Sequence, residues 1–266
     1  MRTITYIVSF LGLLCLSIIS CKKDSKAFPE EISQTVKDKI FALGFSTMNA
    51  QKIDEGWLVE GDIVLSESDL DRIPQMKFLR IAGNEQYRTF NLITGLPRTL
   101  TVSLSSKLPS NYGPALDEAI RRYNAENLQL HFQRVSGNAD INLMKVIGNY
   151  LAASGFPSSS GIPYGTIKIN PGFIGSGNNN SFINYLATIM AHEIGHCIGF
   201  RHTDYMNRSF SCGRQAVNEG ASSAGAVYIT GTPSDPDAAS WMLACIRSTQ
   251  NRPFNSNDKT ALNYLY

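Results

Sequence analysis

Apolar positions at Ile32, Val36, Ile40 and Leu43 recur at helical spacing and Gly44 closes the pattern, which predicts a short helix within residues 29–43. Two strand-like runs follow, Gly56-Trp57-Leu58-Val59 and Asp62-Ile63-Val64-Leu65, and Ser66 with Asp69 three residues on reads as the cap of another helix. From Arg98 the pattern becomes more regular. Residues 99–104 alternate as a strand, residues 111–124 are helical with Leu116, Ala119, Ile120 and Tyr123 inward, and residues 128–135 and 139–146 are two more strands. Strand, helix, strand, strand suits a twisted sheet with a helix laid against it. Residues 164–170 form a short alternating strand ended by Pro171-Gly172, flanked by Ser-, Gly- and Asn-rich loops at 154–161 and 175–181. Its neighbours in sequence are loops, so it is the candidate edge strand, open to an extended peptide; an edge already paired within the fold is the alternative. Ser181 is expected to cap a helix reaching about Gly199. A long Gly/Ser-rich loop at 205–239 follows, and Ser256 or Asn257 caps a terminal helix with Ala261, Leu262 and Leu265 inward.

The first residues do not belong to this pattern. Arg2 precedes an apolar run from Ile4 to Ile19, short and abruptly ended, which reads as an export signal over residues 1–20. Ile18-Ile19-Ser20-Cys21 resembles the bacterial lipobox. Cys21 is then expected to carry lipid as the mature N-terminus, residues 21–28 to act as a polar tether, and the protein to sit in the bacterial cell envelope anchored to a membrane. An ordinary signal peptide with a chance cysteine is the alternative. Cys197, Cys212 and Cys245 remain in an oxidising compartment, and three is odd. Cys212 with Cys245 is the preferred pair and Cys197 with Cys212 the alternative.

Composition changes little. Apolar residues make up 43% and charged residues 17%, ordinary for a soluble globular protein, so a small α+β unit over 29–95 and a larger domain over 96–266 can both be supported. A net charge of +2 without a strongly basic run gives no case for nucleic acid. No internal repeat or coiled-coil heptad is present in the sequence, and a monomer is the expected state.

The chemistry is concentrated. His192, Glu193, His196, Gly199 and His202 spell H-E-x-x-H-x-x-G-x-x-H, and the chain has only four histidines in all. Residues four apart on a helix lie about 40° apart around its axis, so His192 and His196 can share a metal. Glu193 sits beside that metal, placed to take a proton from an activated water. A glycine at 199 can adopt φ > 0 and let the chain leave the helix, which brings His202 back as a third ligand. Three protein ligands with an open fourth position are the signature of one catalytic Zn²⁺. The fourth histidine, His131, faces away from Leu130 and Phe132 in an alternating run and is expected to be a surface or packing residue.

These residues resemble the metzincin clan of zinc peptidases. His192-Glu193-Ile194-Gly195-His196 spells the motif of the dual-action HEIGH metallopeptidase family related to myxobacterial protease B, and the resemblance covers roughly residues 98–266. Thr203 and Asp204 stand where metzincins carry family-marking residues. Ser240-Trp241-Met242 resembles the Met-turn, which places Met242 beneath the metal, and residues 258–266 resemble the clan's final helix. The resemblance implies an α+β, zincin-like catalytic domain with a twisted mixed sheet, an active-site helix and a C-terminal helix. It implies a zinc endopeptidase acting on peptide or protein substrates with Glu193 as general base. The alternatives are a lipid-anchored peptide-binding module on an inactive scaffold, and a zinc site completed by a distant glutamate, which Gly199 and His202 disfavour. One departure is Ala244, where some metzincins have a tyrosine; Tyr205 is a substitute to consider for carbonyl stabilisation. Residues 29–95 hold no cysteine to block zinc with a thiolate. They are either a pro-segment using a carboxylate or a supporting subdomain, with Arg88 and Arg98 as plausible processing sites. Substrate preference is expected to lie in the loop before Met242 and the segment after it.

Overall fold

The computed structural model describes residues 32–43, 45–71, 86–213, 218, 225–233 and 236–266. The signal, the tether and Cys21 lie outside these. No helix among the described residues is long and apolar enough to cross a membrane.

The N-terminal elements are α1 (Gln34–Ala42), β1 (Gln51–Ile53), β2 (Gly56–Val59), β3 (Ile63–Leu65) and α2 (Glu67–Leu70). Ser33 caps α1, and Ser66 and Asp69 form the expected capping box on α2. Strands β1, β2 and β3 make an antiparallel sheet, with β2 and β3 joined by the three-residue loop Glu60-Gly61-Asp62. Every residue of β2 and β3 is buried, because both faces of the hairpin are covered. Trp57, Val59, Ile63 and Leu65 pack with Ile40, Leu43 and Leu70 beneath the helices. Leu58 and Val64 point the other way, onto Ala153. This explains why the sequence there is continuously apolar rather than alternating.

The larger part contains β4 (Tyr87–Arg88), β5 (Arg98–Leu104), α3 (Gly113–Asn124), β6 (Leu130–Val135), β7 (Ile141–Lys145), β8 (Ala152–Ala153), β9 (Thr166–Ile169), α4 (Pro171–Ile174), α5 (Asn180–Cys197), α6 (Ser209–Cys212), β10 (Val227–Tyr228) and α7 (Ser256–Leu265). The main sheet has the order β6-β5-β7-β9-β8, with β8 alone antiparallel to its neighbour. Helices α3 and α5 bury their apolar positions, including Leu116, Ala119, Ile120 and Tyr123, in one core with the sheet. The fold is therefore mixed α+β, as the sequence pattern indicates.

Three local expectations change. Residues 164–170 do not supply the edge: β9 lies between β7 and β8, and the edge is Ala152–Ala153, two residues too short to show a period. Helix α5 is capped by Asn179, whose side chain accepts from the Phe182 amide, rather than by Ser181. The terminal helix is capped by Asn255, which makes a capping box with Asp258.

The edge at β8 is itself covered. The Ser154 amide donates to the Asp62 carbonyl at 2.9 Å and the Val64 amide donates to the Ser154 carbonyl at 2.8 Å, so β3 runs parallel to the edge. Lys168, buried, pairs with Glu55 and fixes the other end of the N-terminal sheet. The chain from Gln86 onward belongs to the larger part: the Arg201 amide donates to Tyr87 O, the Thr89 amide to Gly199 O, and the Gln86 side chain to Asp258. Arg88 and Arg98 both lie in strands.

Candidate metal centre

Helix α5 ends where its sequence says it should. Gly199 has φ +110°, and a side chain there would press on Asn91 O and Leu92. The Phe200 amide returns to Gly195 O at 2.9 Å, which closes the turn and sends His202 back toward the helix. Gly195 has a separate reason to be small. A Cβ on it would fall 2.6 Å from Met242 Sδ and 3.3 Å from Trp241 Nε1. The helix gives up about 1 kcal/mol of propensity there so that the fully buried Met242 can lie against it.

The three histidines converge. His196 Nε2 lies 3.1 Å from His192 Nε2 and 3.2 Å from His202 Nε2. His192 Nδ1 faces Trp241 O at 3.0 Å and His196 Nδ1 faces Phe200 O at 2.8 Å. A carbonyl oxygen only accepts, so both Nδ1 atoms carry the proton and both Nε2 lone pairs face inward. Burial, helped by His192 and His202, also pushes the His196 imidazolium pKa well down, which keeps that ring neutral as a ligand must be. Ligand atoms in a tetrahedron with zinc–nitrogen distances of about 2.0–2.1 Å stand roughly 3.3 Å apart, so the donor set fits zinc.

The fourth donor comes from the loop between β2 and β3. Asp62 Oδ2 lies 3.0 Å from His202 Nε2 and 3.6 Å from His192 Nε2, and the four residues form one group of potential ligands. Burial opposes charge on Asp62, but His202 and contacts with His192 outweigh it and hold the carboxyl well below the usual carboxylate range. The loop that delivers it turns through Glu60 at φ +58°, a left-handed conformation costly for a residue with a Cβ, and Gly61 at φ +99°, which glycine adopts freely. Ser46 N, donating to Glu60 Oε1 at 2.8 Å, helps hold it.

Glu193 is buried beside the ligands and accepts from Ser154 Oγ at 2.6 Å. Burial, with Asp62 nearby, pushes its carboxyl well above the usual range, while the Ser154 hydroxyl and His202 pull the other way. The Met-turn is tied in from three sides. The Thr203 amide donates to Met242 O, Trp241 Nε1 to Ala191 O, and the Trp241 amide to Asp258 Oδ2. Asp204 accepts from the Ala244 amide with one oxygen and from Ser211 with the other, joining the third-histidine segment to the chain after Met242. A disulfide between Cys212 and Cys245 fastens the same region, and Cys197 is free and buried.

Two expected side chains stand elsewhere. Tyr205 packs edge-on against Tyr87 with ring centroids 4.3 Å apart and does not line the cleft, so it is not placed to stabilise a substrate carbonyl. His131 is exposed on β6, as its alternation implies. Asp62 and Ser154 are the residues that sequence reasoning did not single out. The polar Glu60-Gly61-Asp62 between two apolar runs signals a hairpin tip, but nothing local says where that tip lands. Ser154 lies in a stretch that composition marks only as a loop.

A cavity of about 600 Å³ opens beside the ligands, lined by His192 and Glu193, by Tyr150 and Ala152 near the sheet edge, and by Leu243 and Ala244 after the Met-turn. Among solved structures, two of myroilysin are similar. One is 15% identical over 64% of this chain and 83% of that one (TM-score 0.38), the other 16% identical over 44% and 54% (TM-score 0.33). A hatching-enzyme zinc protease from the medaka Oryzias latipes is 21% identical over 39% of this chain and 44% of its own (TM-score 0.27). The chain thus spans about half the length of two of these three. A search of curated proteins finds no match. The sequence profile of the dual-action HEIGH metallo-peptidases matches residues 58–266, from the Asp62 hairpin through the histidines to the last helix, and the chain belongs to that metallopeptidase family.

Proposed function

We propose that this chain is a zinc endopeptidase whose N-terminal unit holds it latent, with Asp62 in the place a water would take. Zinc, when bound by His192, His196 and His202, supplies a Lewis acid that lowers the pKa of water toward about 7 and polarises a peptide carbonyl. Glu193 is the general base. It stands next to His192 on the helix, and Ser154 orients one of its oxygens and leaves the other free for the attacking water. The same carboxyl then returns the proton to the leaving amine.

The observation that carries the reading is the course of the hairpin. Residues 59–65 pass along the sheet edge in front of the histidines with chain continuing on both sides, so the cleft accommodates an internal stretch of polypeptide. That favours an endopeptidase. Latency is supported by the same hairpin, since it presents a carboxylate to the ligands and uses up the edge hydrogen bonds of Ser154 that a substrate would need. Activation then requires the hairpin to leave, while Gln86 to Thr89 stay with the larger part. Attachment to a bacterial envelope membrane through Cys21 completes the proposal, supported by the lipobox-like sequence alone.

Two substitutions in the full-length chain test it. Glu193→Gln is expected to keep one zinc by metal analysis and to lose at least about 10²-fold in peptide turnover. Asp62→Asn is expected to cleave a peptide library faster than the unmodified chain, with its zinc X-ray absorption spectrum showing one oxygen neighbour changed. Full turnover by the zinc-loaded Glu193→Gln protein would remove the base from the mechanism. Equal rates for Asp62→Asn and the unmodified chain would reduce the N-terminal unit to a support.

A further inference from the structure

We propose that Arg252 makes the subsite beside the metal selective for an acidic substrate side chain, one adjacent to the bond cut. The inference rests on the peptidase reading above and adds the class of substrate. The cavity that begins at His192 and Glu193 continues between Thr188 and Ile189 of α5 and residues 243–246 after the Met-turn, and Arg252 is part of its lining. Arg252 is only 7% exposed. Its backbone is pinned by the Thr188 hydroxyl, which accepts from the Arg252 amide at 3.0 Å. Its Nη1 donates to Cys245 O at 2.9 Å and its Nη2 to Gln250 Oε1 at 3.1 Å, both neutral acceptors. Its Nε is buried with no acceptor, and among the described residues no carboxylate is in ion-pair contact with it.

A guanidinium stays charged in a protein and has five donors in a planar fork. Burying one without a counter-charge is costly, and a carboxylate arriving at the fork removes much of that cost. Burial lowers the Arg252 pKa, with Asp204 and Asp258 opposing through space rather than by contact. Aspartate or glutamate suits the rest of the subsite as well, since its methylene groups can lie along Ile189 and Leu243 while its carboxylate reaches the fork.

A second observation agrees. The cationic lining of the cavity is Arg208 and Arg252, and the hairpin that now fills its mouth contributes Glu60 and Asp62. The chain's own acidic tip thus lies in the same cavity as the Arg252 guanidinium. A lysine there would meet a like charge.

The test uses the full-length, zinc-loaded chain carrying Glu193→Gln together with Asp62→Asn, so binding is read without cleavage and without the hairpin's carboxylate at the ligands. Fluorescein-labelled octapeptides, identical except for a single Asp or Asn moved through each position, are titrated by anisotropy. The hairpin lowers every apparent affinity by the same factor, so the ratio within a pair is unaffected by it. At one position the Asp peptide is expected to bind about tenfold or more tighter than its Asn twin, in line with a charge-assisted hydrogen bond. Arg252→Gln should bring that ratio to one while leaving the Asn peptide within about twofold, and Arg252→Lys should keep part of it. A ratio of one at every position in the protein that retains Arg252, or no binding of either peptide, overturns the proposal. So does a ratio that survives Arg252→Gln. The first comparison needs no change at Arg252, so a variant that fails to fold does not leave the question open. Failure of the peptidase reading itself would look different: no peptide cut by the Asp62→Asn chain with Glu193 intact, whatever the binding ratio.

Discussion

Each candidate ligand and the proposed base in this centre are held in place by neighbours that take no part in binding metal. Gly195 leaves room for Met242, Gly199 turns the chain, Phe200 and Trp241 offer the carbonyls that set two histidine tautomers, and Ser154 orients Glu193. The ligands were legible in the sequence because i, i+4 spacing on a helix is local geometry. The orienting groups were not, since a backbone carbonyl leaves no mark in the sequence. Asp258 shows the same limit. From sequence it is one residue of the terminal helix; in the structure it is buried under Gln86, Trp241 and Asn255, and burial pushes its carboxyl up to about 7 against the hydrogen bonds that oppose the shift. A pKa raised on folding means that the folded state holds the proton more tightly than the unfolded one. The stability it contributes is therefore complete below about pH 4 and lost as the pH rises through about 7. Replacing Asp258 with Asn is expected to flatten this part of the profile. Urea denaturation between pH 4 and 8 checks it, and parallel stability curves for the two proteins would contradict the assignment.

At the scale of elements, two short pieces govern access to the site. The β2–β3 hairpin is held by apolar contacts on both faces, by Lys168 with Glu55, and by the Ser154 backbone, yet its tip carries positive φ at Glu60 and Gly61. Contacts along its stem hold the left-handed backbone of Glu60 at its tip. The second piece is the segment after Met242. The disulfide between Cys212 and Cys245, 33 residues apart, closes a loop whose chain-entropy contribution is about 3–4 kcal/mol. Cys245 also lines the cavity. Replacing both cysteines with serine is expected to lower the melting temperature and to raise KM more than it lowers kcat, because the catalytic groups on α5 do not move. Calorimetry and peptide kinetics check the two parts, and an unchanged KM would free the cavity wall from the disulfide. The sequence favoured this pairing over Cys197 with Cys212. Periodicity gave the long helices and strands their places, but it missed the edge at Ala152–Ala153, where two residues leave no period to read.

At the scale of the whole molecule, the metal centre is a junction of parts far apart in the chain: α5, the Met-turn, the terminal helix through Asp258, and the N-terminal hairpin. Metal bound there stabilises all of them together. Free zinc at a thousand times its Kd is worth about 4 kcal/mol, so chelation is expected to lower the melting temperature of the full-length chain, and added zinc to restore it. A melting temperature indifferent to chelator would separate the histidines from any metal. The chain's sequence by itself determined the three candidate histidine ligands, the proposed base, the turn at Gly199, the α+β class and the family resemblance, because each follows from spacings within a few residues, where backbone geometry is fixed by chemistry. Only the tertiary structure decided that Asp62, 140 residues before His202, would face the ligands, that Ser154 would hold Glu193, and that Arg252 would close the cavity without a counter-charge. Such contacts depend on how strands order and pack around a common core, and no local pattern of polar and apolar residues records which distant segments will meet.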